Sequence, residues 1–68
     1  MKVTIRVKER INPLIFDVRK LVSVNDRIAG YVDGDSHYRF LIEGNQVIVY
    51  ELSCEFKTVF SIVDWRVN

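Results

Sequence analysis

The stretch HYRFLIEGNQVIVYEL, residues 37 to 52, constrains this chain most. Two runs rich in β-branched and aromatic residues flank a Gly44-Asn45 pair. Both turn residues tolerate positive φ, which suits a two-residue hairpin loop of type I′ or II′. The turn then fixes the register. Ile42 lies opposite Val47, Phe40 opposite Val49 and Tyr38 opposite Glu51 on one face. Leu41 lies opposite Ile48, Arg39 opposite Tyr50 and His37 opposite Leu52 on the other. Both faces are substantially apolar, whereas a single small sheet can cover only one of them.

The remaining segments read as strands around this hairpin. In VTIRVK, Val3, Ile5 and Val7 alternate with Thr4, Arg6 and Lys8, which predicts a half-buried strand with a basic outer face. Pro13 ends it, because proline cannot donate to a ladder. LIFDVRKLVSV admits two readings. As a helix over about 13–22, it has Asn12 as N-cap and Pro13 in the first turn, but leaves Phe16 exposed. As a strand, it sets Leu14, Phe16, Val18, Val22 and Val24 on one face, with Lys20 out of place. The β-branched share of the segment favours the strand. NDR reads as a turn and IAGYV as a short strand, in which Gly30 invites cover by a cross-strand ring, placed at Tyr38. FKTVFSIV is the last strand, and Trp65 beyond it either closes the core or meets a partner.

The expected fold is therefore all-β: one domain over residues 1–68, a small antiparallel meander of five to six strands. It buries its apolar face by curling into a barrel or by packing as half a sandwich. The alternative is α+β, with the 13–22 helix across one face.

Length then bears on assembly. A domain of 68 residues buries only about 60% of its unfolded surface. Domains this small commonly need a disulfide, a metal or a partner. Cys54 is the only cysteine, so no internal disulfide forms; it points to a reducing compartment, or to an intermolecular bridge if the protein is secreted, and the expected setting is cytoplasmic. No Cys/His cluster exists to hold zinc. Self-association is the remaining staple.

The histidine-bearing stretch YVDGDSHYRF resembles a site at first sight. Counting an EF-hand loop from Asp33, the third position is Asp35, but the fifth is His37, the sixth Tyr38 and the twelfth Gly44, where the motif wants an acid, Gly and Glu. Asp and Gly are also what a turn wants, and a turn is the reading taken here. No metal, no cofactor and no catalytic residue is expected. The three glycines are scattered, so no phosphate loop is present.

No run approaches the roughly 18 apolar residues of a membrane span, and no membrane partner is expected. Net charge is +1, yet residues 1–25 carry +4 and residues 26–52 carry −3. The two regions can neutralise each other within or between subunits. The functional expectation is a non-enzymatic binding or assembly protein that acts through a sheet surface, as a homo-oligomer or with another protein. Its contact candidates are His37, Arg39, Leu41, Ile48, Tyr50 and Leu52. The alternative is a nucleic-acid-binding β-barrel that uses Lys2, Arg6 and Lys8 with exposed aromatic rings.

Overall fold

The computed structural model describes residues 1–51 and 56–68; Leu52 and Cys54 lie outside the described residues. Six strands run in chain order: β1 Lys2–Val7, β2 Leu14–Val24, β3 Arg27–Val32, β4 Phe40–Glu43, β5 Gln46–Glu51 and β6 Phe56–Val67. Each pairs antiparallel with the next, and β6 returns to β1, so the sheet closes into a barrel. The two long strands divide their pairing: β2 meets β1 over Leu14–Asp17 and β3 from Val18 onward, and neither it nor β6 is paired along both edges over its whole length. Among the described residues, no helix is long and apolar enough to cross a membrane.

The Gly44-Asn45 hairpin has the expected register: Phe40 faces Val49, Leu41 faces Ile48 and Ile42 faces Val47. Gly44 has φ 59°, and Asn45 is not left-handed, which is the type II′ arrangement. The NDR turn is the other primed kind, with Asn25 at φ 51° and Asp26 at φ 63° joining β2 to β3.

β2 is a strand throughout, so the helical alternative falls. Its misplaced Lys20 has a structural cause. The register against β3 shifts between Val18 and Lys20, and this bulge reverses the parity of the residues after it. Leu14, Phe16 and Val18 belong to the core on its N-terminal side. On its C-terminal side Leu21 faces buried Gly30, while Val22 and Val24, expected inside, turn outward.

The core consists of Val3, Ile5, Val7, Leu14, Val18, Phe40, Ile42 and Val47, with Phe16, Leu21, Ile28, Val32, Val49, Phe60, Ile62 and Trp65 packed around it. Phe40 is its largest wholly buried side chain, with its ring 4.6 Å from that of Phe16. That ring also lies against Gly30, its cross-strand partner. Gly30 is thus covered by an aromatic ring as expected, but by Phe40 rather than Tyr38. The difference comes from the β3–β4 connection. It spans residues 33–39, longer than a tight turn, and leaves Tyr38 outside the strand ladder.

β6 is longer than the sequence pattern suggests and takes in Trp65. It pairs with β5 through Phe56–Ser61 and with β1 through Ile62–Val67, with a register shift at Arg6/Val7. One strand therefore seals the barrel, and Trp65, opposite Ile5, packs against the core.

Candidate functional site: the outer wall of β2 to β6

Every strand has a face that points away from the core, and the registers align these faces into rows. Val22 lies opposite Ala29, Ala29 opposite Leu41, Leu41 opposite Ile48, and Ile48 opposite Val59. This is an unbroken apolar row across five of the six strands. Four of its members are half-buried, and Val59 at the end is 48% exposed. Ala29 is the small member. Beside it lies a groove of about 260 Å³, lined by Val22, Ala29, Tyr31, Tyr38, Leu41 and Arg27.

A polar row borders the apolar one on the hairpin-turn side. Arg27 faces Glu43, and Glu43 faces Gln46. The Arg27 guanidinium sits 3.4 Å from the Glu43 carboxylate. Both groups are largely exposed, so this pair sets polarity more than stability.

An aromatic row borders it on the other side. Lys20 faces Tyr31 and Tyr50 faces Lys57. Tyr38, carried by the 33–39 loop, bridges them. Its ring lies 6.1 Å from that of Tyr31 and 5.3 Å from that of Tyr50, nearly perpendicular to each. Such edge-to-face pairs are a favoured geometry for tyrosine rings. Lys20 Nζ stands 4.7 Å from the Tyr31 ring centre and the Arg19 guanidinium 5.5 Å from it, both within cation–π range.

The 33–39 loop is fastened by its own ion pair. Arg39 donates from Nε and Nη2 to Asp35 Oδ2 at 3.2 and 3.0 Å. Asp35 also donates its backbone N–H to the Val32 carbonyl. Asp33 and Gly34 form the turn itself. The Asp-rich stretch thus holds a loop in place, and that loop carries Tyr38.

Of the contact candidates, Leu41, Ile48 and Tyr50 share the outer wall. Arg39 is tied to Asp35 beside them, and His37 is exposed in the loop. Val22, Ala29 and Val59 extend the row, although sequence reasoning does not single them out. Alternation alone sets Val22 inward, because it does not register the bulge at Arg19. It sets Tyr38 on the inner face as well, by assuming a short β3–β4 loop.

Lys2, Arg6 and Lys8 lie elsewhere. In the closed order, β1 is three strands from β4 in either direction, so this stripe and the tyrosines occupy opposite walls. Acidic residues lie beside two of its members. Arg6 makes a two-point contact with Asp64, and Lys2 stands opposite Asp17 on β2. The Arg6–Asp64 hydrogen bonds raise the guanidinium pKa and lower that of the carboxyl. Glu9 accepts the Ser61 backbone N–H, which lowers its pKa as well. Among the described residues, no cluster of three His, Cys, Asp or Glu side chains is placed to hold a metal ion.

No protein-family model, no curated protein and no solved structure matches this chain.

Proposed function

We propose that this protein is a non-enzymatic binding and assembly module that associates with further copies of itself through the outer wall of β2 to β6. The observation that carries the reading is the unbroken row Val22–Ala29–Leu41–Ile48–Val59. Contiguous apolar surface of this kind marks interaction sites, whereas single exposed apolar residues do not. The groove beside Ala29 gives a partner side chain a place to anchor.

A second copy suits the wall for two reasons. Every copy carries the same row, so two copies can pack apolar row against apolar row in a self-complementary contact. The unequal charge, +4 over residues 1–25 and −3 over residues 26–52, lets copies complement each other around the apolar contact. The setting that goes with this reading is reducing and cytoplasmic, on the ground of the single cysteine.

The test is solution mass by light scattering behind size exclusion, over a range of concentration. Wild type is expected above its 8.0 kDa chain mass. Ile48→Lys removes an apolar contact worth about 1.5–3 kcal/mol per copy and puts a charge in its place. It should weaken assembly by at least about tenfold. A wild type of monomer mass at every concentration refutes the proposal.

A further inference from the structure

The apolar row accounts for one band of the outer wall and leaves the aromatic band beside it unexplained. That band runs Lys20, Tyr31, Tyr38, Tyr50, Lys57 from β2 to β6, three rings in series between two lysines. Its components come from four strands and a loop. The loop in turn is pinned by the Arg39–Asp35 pair, which sets where Tyr38 stands. We propose that this band binds single-stranded nucleic acid, with bases stacking on the tyrosine rings and phosphates lying against the flanking lysines.

Three features point to that ligand. The three ring centres lie 6.1 and 5.3 Å apart with the rings nearly perpendicular, which gives one aromatic cluster on which an unpaired base can stack. Cations collect at the rim: Lys20 and Arg19 beside Tyr31, Lys57 across from Tyr50. An acidic peptide would use the cations but leave the rings without a role. The wall is also convex. The whole molecule measures only 28 × 26 × 24 Å, and a band drawn from four of the six strands and a loop bends around much of it. A flexible single strand can track that curve. A rigid duplex meets it at one point, and no described helix is present to enter a major groove.

This site differs from the Lys2, Arg6 and Lys8 stripe on the opposite wall, where charge is present but the tyrosines are not. Tyr31 and Tyr38 also line the groove beside Ala29, whereas Ile48 belongs to the apolar row alone, so Tyr38 variants are read for solution mass as well as for binding.

The experiment measures fluorescence anisotropy of labelled oligo(dT) and oligo(rU) at several salt concentrations, with a duplex of equal length beside them. Saturable binding of the single strands is expected, weaker for the duplex, and falling as salt rises. Tyr38→Ala should reduce affinity by about 5- to 150-fold, the range for removing one stacked base. Tyr38→Phe keeps the ring and should stay within about twofold. Lys20→Ala with Lys57→Ala changes two exposed side chains and leaves the fold intact by circular dichroism. It should lower the salt slope by about 1.4, or roughly 0.7 for each phosphate no longer neutralised. Ile48→Lys should assemble less and still bind through Tyr38. The proposal is overturned by any of four results: no saturable binding at low salt, equal binding of duplex, full affinity in both Tyr38→Ala and the double lysine variant, or binding that disappears instead with Lys2→Ala and Lys8→Ala.

Discussion

Gly30→Ala places a methyl group where the Phe40 ring already lies. A β-carbon built on Gly30 falls 2.2 Å from Phe40 Cζ, 2.3 Å from Cε2 and 2.8 Å from Cε1. Ordinary carbon contacts lie near 3.5–4.0 Å, so the ring must retreat by more than about 1 Å. It has little room to do so. Phe40 is 0% exposed, and Phe16 packs against it at 4.6 Å. The Gly30 backbone itself is not left-handed, so the cost is steric rather than conformational. Overpacking of a filled core costs about 1–3 kcal/mol, and this overlap belongs at the upper end. A domain of this length has a total stability of about 3–10 kcal/mol. Gly30→Ala should therefore lose about 2–3 kcal/mol, which lowers Tm by about 10–20 °C. Urea unfolding monitored by Trp65 fluorescence measures the loss. Phe40→Leu removes the offending ring atoms, so the double variant should lose less than the sum of the singles, by about 1 kcal/mol or more. A Gly30→Ala protein within about 0.5 kcal/mol of wild type, or an additive cycle, would refute the packing argument.

Three further outcomes are expected. Gly44→Ala should cost about 1–2 kcal/mol, because φ 59° is left-handed and nothing crowds the added carbon; chemical denaturation reads it. Asp35→Asn weakens the Arg39 pair, whose side chains are both more than a third exposed, so its stability loss should stay under about 1 kcal/mol, with Asp33→Asn near zero. In acid, Asp64 and Glu9 have folded pKa values below their unfolded ones, so the unfolded chain binds more protons and stability falls as pH drops below about 4. Asp64→Asn with Glu9→Gln should flatten that acid limb in a pH series of melting curves, and an unchanged limb would count against these contacts.

The parts of the fold that local chemistry decides are legible in the sequence. The Gly44-Asn45 turn fixes the β4–β5 register, and alternation identifies Val3, Ile5 and Val7 as core. Insertions that change parity are not legible in the same way. One extra residue at Arg19 reverses Val22 and Val24, and alternation alone gives no sign of a bulge except a residue on the wrong face. Lys20 is that sign. The length of the 33–39 loop likewise moves Tyr38 from the inner face to the outer one, and with it the aromatic band. Leu41, Ile48 and Tyr50 can be found because the hairpin register is local. The apolar row as a whole cannot, because it depends on four registers at once.

The claim that the outer wall of β2 to β6 is the assembly surface is tested most directly by a matched pair of substitutions. Ile48 lies in the apolar row, while Ile15 projects from the opposite side of the barrel, across from Thr4 on β1, and is 58% exposed. Solution mass of Ile48→Lys and Ile15→Lys, at equal concentration and with circular dichroism confirming the fold, compares one chemical change at two places. Ile15→Lys should keep the wild-type mass, and Ile48→Lys should shift toward the single chain. Dissociation by Ile15→Lys with Ile48→Lys unaffected would place the contact on the β1 wall and contradict that claim.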